Sequence, residues 1–134
     1  MANIVIVDDD PTIQLIAGEL LSADGHTVVH AGDGVEALKV LEVTRADLVV
    51  LDMLMPNMDG LETIIELRRR YPSVKILAIS SGGRGGADDL LKTARLFGAD
   101  DSLAKPLSFS TFGAAVARLL SRDTRVDSPF VQQG

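Results

Sequence analysis

Cysteine is missing from all 134 residues, so the chain can carry neither a disulfide framework nor a thiolate zinc site. It also lacks any run approaching ~18 apolar residues, and the opening MANIVIV contains neither a basic leader nor a signal-length apolar stretch. The expectations are no membrane insertion and a cytoplasmic location. Basic residues are in deficit, 13 against 19 acidic, for a net charge of −6. That balance argues against direct nucleic-acid binding, whose affinity comes from clustered Lys and Arg on phosphates. The one basic cluster, Arg68-Arg69-Arg70, falls at the end of a helical stretch, where cations suit the helix dipole. Nucleotide-loop patterns are absent too: SGGRGG at 81–86 holds four glycines but neither GxxxxGK nor GxGxxG.

What the chain does have is alternation. Short β-rich runs at 4–7, 27–31, 48–51, 75–79 and 102–104 are separated by stretches of helical period. Each run but the last reads as a strand buried on both faces. Between the runs, apolar residues at helical spacing are Ile13, Ile16, Ala17, Leu20 and Leu21, then Ala37, Leu38 and Leu41, then Leu61, Ile64, Ile65 and Leu67. Leu90, Leu91 and Ala94 mark a fourth helix, and Phe112, Val116, Leu119 and Leu120 a fifth. Gly25, Gly98 and Tyr71-Pro72 fall where helices one, four and three should stop, while Asp33-Gly34 and Asp59-Gly60 turn into helices two and three. This repeated strand–helix unit predicts an α/β fold, doubly wound, with a five-stranded parallel sheet and helices on both faces. One domain over 1–120 is expected, followed over 121–134 by a polar tail or linker start in which Phe130-Val131 is an alternative small docking element. Open sheets of this kind bind ligands beyond the C-terminal ends of their strands.

Those ends carry Asp8-Asp9-Asp10 after the first run, Asp52 after the third, Ser80-Ser81 after the fourth and Lys105-Pro106 after the fifth. Taken singly, each is an ordinary turn residue or helix cap. Asp52 and Lys105, however, end apolar runs where no turn residue is required. Two like charges ~4 Å apart repel by roughly 4 kcal/mol at an effective dielectric of about 20. A cluster of Asp8, Asp9 and Asp52 therefore calls for a cation, and hard oxygen ligands without His or Cys suit Mg²⁺, with Mn²⁺ as a substitute. Lys105 adds a second cation and Ser80 a hydroxyl. Together they equip the pocket for a phosphoryl group, with Asp52 as a carboxylate nucleophile. Asp10 stands ahead of Pro11 and reads as the N-cap of helix one rather than a ligand. His26 and His30 have no carboxylate or His partner at ligand spacing and read as surface or strand-edge residues.

In VDDDP at 7–11, LDMLMPNMDG at 51–60, KILAISS at 75–81 and GADDSLAKP at 98–106, the sequence resembles the response-regulator receiver domain over about 3–120. The resemblance implies a flavodoxin-like (βα)5 sheet in the order 2-1-3-4-5. It implies that Asp52 accepts a phosphoryl group, with Mg²⁺, from the phosphohistidine of a sensor histidine kinase or a histidine phosphotransfer protein. Asp8 and Asp9 become the acidic pair at the metal, to which Asp52 and the backbone carbonyl of Leu54 are also ligands. Ser80 becomes the switch hydroxyl, Lys105 the phosphate-pairing lysine, and the Lys105-Pro106 bond is cis. Catalysis would be confined to self-phosphorylation from a phosphodonor and slow autodephosphorylation. Output would pass to an unknown protein through the surface of helix four, strand five and helix five. Met55-Pro56 and Asp59-Gly60 match the family's loop after the phosphoacceptor, a structural role.

Two departures stand out. Ser102 occupies the place where most receivers carry Tyr or Phe on strand five, which puts the aromatic coupling mechanism in question. The glycines at 82–86 predict a loop that is mobile without phosphate and tightens on phosphorylation, with Arg84 as a partner contact. A rival from another class is a phosphorylation-independent interaction module on the same fold. An aspartate-nucleophile phosphatase would need an acidic residue two positions after Asp52, where Leu54 stands.

Overall fold

The computed structural model describes residues 1–54, 59–81 and 87–121, without the side chains of 87 and 88. Met55-Pro56, the glycine loop with Arg84, and 122–134 with Phe130-Val131 lie outside the described residues. Strands and helices alternate as β1 (Asn3–Val7), α1 (Pro11–Ala23), β2 (Thr27–Ala31), α2 (Gly34–Val43), β3 (Leu48–Asp52), α3 (Gly60–Arg70), β4 (Lys75–Ser80), α4 (Ala87–Phe97), β5 (Asp101–Ala104) and α5 (Phe109–Ser121). All five strands pair in parallel, in the order β2-β1-β3-β4-β5. None of the described helices is long and apolar enough to cross a membrane.

The period-two alternation of the strands divides the core. Val5, Val7, Val49, Leu51, Ile76 and Ala78 point to the face covered by α2, α3 and α4. Ile4, Ile6, Leu48, Val50, Leu77 and Ile79 point to the face covered by α1 and α5. Strands β3 and β4 are buried along their whole length, as continuous apolar runs in a parallel sheet covered on both faces should be. For β2 the expectation of full burial fails, because it is an edge strand and leaves Thr27 and His30 exposed. The apolar stripe of α1 is likewise wider than its contact: Ala17, Gly18 and Leu21 are buried, while Ile16 is 40% exposed. On α3, Ile65 faces outward in the same way.

Local chemistry fixes where the helices begin and end. The side chains of Asp10, Asp33 and Asp59 accept the backbone N–H of Thr12, Glu36 and Glu62, three aspartate caps each worth about 1 kcal/mol. Gly25 and Gly98 take φ of 90° and 128° just past α1 and α4, a left-handed conformation that a side chain would strain. The basic end of α3 does more than complement a dipole. Arg69 and Arg70 pair with Glu66, but Arg68 turns under the sheet, donates to the carbonyls of Gly98 and Val74, and forms a 2.6 Å ion pair with Asp100. Asp100 in turn accepts the N–H of Ile76 at 2.8 Å, so the start of β4 and the turn into β5 are tied together.

At the other end of the sheet, register brings the strand ends into line: Val7 lies opposite Leu51, Leu51 opposite Ala78, and Ser80 opposite Ala104. Close packing holds the chain leaving β3. A Cβ on Gly60 would lie 2.6 Å from the Cα of Met53, which is itself buried. Gly60→Ala should therefore destabilise the fold by about 1–3 kcal/mol. Urea denaturation checks this, and an unchanged midpoint would show that α3 can move away from Met53 without cost.

Candidate functional site

Four of the five strands, β1, β3, β4 and β5, end in or just before polar residues: Asp8 and Asp9, Asp52, Ser80, and Lys105. The backbone N–H of Asp8 donates to the Ala31 carbonyl at 3.1 Å, extending the β1–β2 ladder by one residue and burying the side chain completely. Asp8 Oδ1 accepts the N–H of Asp10 at 2.9 Å, and Oδ2 lies 2.9 Å from Lys105 Nζ. Asp52 is the last residue of β3 and is 4% exposed. Its Oδ1 accepts the Leu54 N–H at 3.1 Å, and its Oδ2 lies 3.5 Å from Lys105 Nζ. Lys105 follows β5, donates its N–H to the Ser80 carbonyl at 2.8 Å, and is joined to Pro106 by a cis bond. Ser80, the last residue of β4, is fully buried, and its Oγ has no hydrogen-bond partner among the described residues.

Carboxylate oxygens of Asp8, Asp9 and Asp52 lie within 4.8 Å of one another. Asp8, Asp9, Asp52 and Lys105 thus come together, with Asp9 on the exposed side and Asp8 and Asp52 buried. Asp10 is the cap of α1, as expected. His26 accepts the Ala2 N–H through Nδ1 and His30 sits exposed on the edge strand, both outside this cluster. Ser102 also lies elsewhere: its hydroxyl accepts from Arg95 of α4, beside an ion pair between Asp101 and Arg118.

Charge governs the chemistry of the cluster. Each Lys105 contact supplies roughly 5 kcal/mol of attraction at an effective dielectric of about 20, before the cost of desolvation. Three carboxylates against one ammonium still leave two negative charges. Burial pushes the Asp52 carboxyl up to about 6; the Leu54 N–H opposes this, the charge of Asp8 adds to it, and Lys105 opposes it. For Lys105, burial acts to lower the pKa, but Asp8 and Asp52 outweigh it and raise the ammonium above its ordinary value. A divalent cation fits what remains, because the donors are hard oxygens and the uncompensated charge is two.

One residue of the site escaped the sequence reading. Gln14 donates through Nε2 to the carbonyls of Asp8 at 2.6 Å and Ala31 at 3.2 Å. Its only sequence sign is a lone amide among Ile13, Ile16 and Ala17. Concavity is a poor guide here. A groove of about 710 Å³ opens at the opposite end of the sheet, between the 44–47 and 71–75 segments and the end of α5, and includes none of the clustered side chains.

The family model described as the response regulator receiver domain matches residues 4–117. The chain belongs to this family. The receiver domain is 37% identical over 128 residues to Response regulator MprA of Mycobacterium sp. (strain KMS), covering 95% of this chain and 54% of the relative. It is 35% identical over 121 residues to the alkaline phosphatase synthesis transcriptional regulatory protein PhoP of Bacillus subtilis (strain 168), covering 90% and 49%. The chain therefore spans about half the length of these curated relatives. Among solved structures, a response regulator receiver domain protein from Clostridium thermocellum superposes with a TM-score of 0.82 at 27% identity, covering 93% of this chain and 98% of that one.

The raised Asp52 pKa has a consequence for stability. Its folded value of about 6 lies above the ordinary 3.8, so the folded state holds the proton more tightly. The associated stabilisation is complete below the unfolded pKa and is lost as pH rises through the folded one. In a chelator, Asp52→Asn should melt increasingly above wild type as pH rises from about 4 to about 7, with no further divergence beyond. Parallel melting curves across that window would contradict the assignment.

Proposed function

We propose that this receiver domain accepts a phosphoryl group onto Asp52 from the phosphohistidine of a sensor histidine kinase or a histidine phosphotransfer protein. The observation that carries this reading is the placement of Lys105 Nζ against both Asp52 and Asp8, inside an acidic cluster at the strand ends. In the transfer, an Asp52 carboxylate oxygen bonds to phosphorus as the phosphorus–nitrogen bond breaks, and the electron pair returns to the imidazole nitrogen of the donor. Lys105 then pairs with the phosphoryl oxygens, and the buried Ser80 hydroxyl, without a partner among the described residues, donates to one of them. Asp8, Asp9, Asp52 and the carbonyl of Leu54 would hold Mg²⁺, or Mn²⁺ as a substitute, with Asp9 in direct contact. Bound there, the cation neutralises charge on the transferring oxygens.

The phosphorylated form alters the surface of α4, β5 and α5, where an output protein reads it, and slow autodephosphorylation resets the domain. The receiver unit covers 1–120, the segment 121–134 is a tail or the start of a linker, and the protein works in the cytoplasm. Ser102 favours one rival reading, an interaction module independent of phosphorylation, because its hydroxyl is engaged by Arg95 where an aromatic ring would swing.

Intact-mass measurement after incubation with a small phosphodonor and Mg²⁺ separates the two. Wild type should gain about 80 Da, the mass of one phosphoryl group, and Asp52→Ala should gain nothing. No gain in wild type, or an equal gain in Asp52→Ala, would overturn the phosphoacceptor role and leave the interaction module standing.

A further inference from the structure

We infer that Gln14 is a positioning residue: its side-chain amide fixes the Asp8–Asp9 peptide and so aims the Asp9 carboxylate at a divalent cation. The inference rests on reading the acidic cluster as a metal site. It starts from the two hydrogens on Gln14 Nε2, both of which are used. One goes to the Asp8 carbonyl at 2.6 Å and the other to the Ala31 carbonyl at 3.2 Å. The Ala31 carbonyl also accepts the Asp8 N–H at 3.1 Å, so the amide bridges the last rung between β1 and β2. Gln14 is itself held, because its own N–H donates to the Asp10 carbonyl at 3.1 Å in the first turn of α1.

The geometry matters because of what shares that peptide. The Asp8 carbonyl and the Asp9 N–H lie in one plane, so fixing the carbonyl fixes where the Asp9 Cα goes. Asp8 has restraints of its own, from the Asp10 N–H on Oδ1 and from Lys105 beside Oδ2. The exposed Asp9 carboxylate has neither a hydrogen bond nor an ion pair among the described residues, so its direction comes from the backbone. Outer partners of metal ligands commonly act in this way, by holding a ligand's orientation rather than by touching the ion.

Calorimetric titration with Mg²⁺ alone tests this on the whole chain, comparing wild type, Gln14→Met and Gln14→Asn. Gln14→Met keeps the length of the side chain but donates nothing, and should weaken Mg²⁺ binding about tenfold. Gln14→Asn keeps an amide too short to reach both carbonyls, and should weaken it, but by less than Gln14→Met does. Saturating Mg²⁺ should return the phosphoryl uptake of both variants to the wild-type level, which a simple loss of fold would not allow. If Gln14→Met does not fold, Gln14→Asn decides the question by the same comparison. Wild-type affinity in the folded variant would overturn the positioning role alone. Absence of Mg²⁺ binding by wild type would overturn the metal site as well.

Discussion

A single ammonium group between two buried carboxylates is the constraint on which the rest depends. Lys105 Nζ stands 2.9 Å from Asp8 Oδ2 and 3.5 Å from Asp52 Oδ2, and both acids are almost wholly removed from water. Without that cation, two carboxylates on adjacent strands would repel by several kcal/mol, and burial would drive at least one of them to take up a proton. Even with it, the Asp52 carboxyl is pushed to about 6. The site is therefore balanced short of neutrality. On the proposed reading, that imbalance is what draws in a further cation and then a phosphoryl group.

The fold supplies this arrangement first through backbone register, which a few side-chain hydrogen bonds then brace. Parallel register places the ends of β1, β3 and β4 level with one another, and the Lys105 N–H bond to the Ser80 carbonyl carries the line one residue beyond β5. Behind the acidic pair, Gln14 extends the ladder where β2 stops. At the far end of the sheet, Arg68 and Asp100 tie the start of β4 to the turn into β5. That staple keeps the two strands in register over their length, and so bears on where Lys105 emerges, although it lies at the opposite end from Lys105.

Much of this was legible in the sequence because the signals were strong and local. Aspartate caps at 10, 33 and 59 and apolar runs ending in charge are written into single short segments. The clustering of Asp8, Asp9, Asp52 and Lys105 followed from topology alone, since a parallel sheet brings its C-terminal ends together. What escaped the sequence depended on neighbours. The exposure of β2 reflects its place at the edge, and an apolar run in an edge strand looks the same as one in the middle. Ile16 and Ile65 carry the helical period yet face outward, because the period does not say how wide a stripe the sheet will cover. Gln14 and Arg68 act through carbonyls far away in sequence or around a turn, and no spacing rule marks such contacts.

Thermal melting of Lys105→Met against wild type, in a chelator and then in excess Mg²⁺, tests the charge-balance account most directly. In the chelator the variant should lose about 3 kcal/mol, the cost of leaving a buried charge without its partner. Mg²⁺ should then raise the variant's melting temperature by more than it raises that of wild type, because the ion meets a larger uncompensated charge. Equal stability in the chelator, or equal Mg²⁺ increments in the two proteins, would contradict the account.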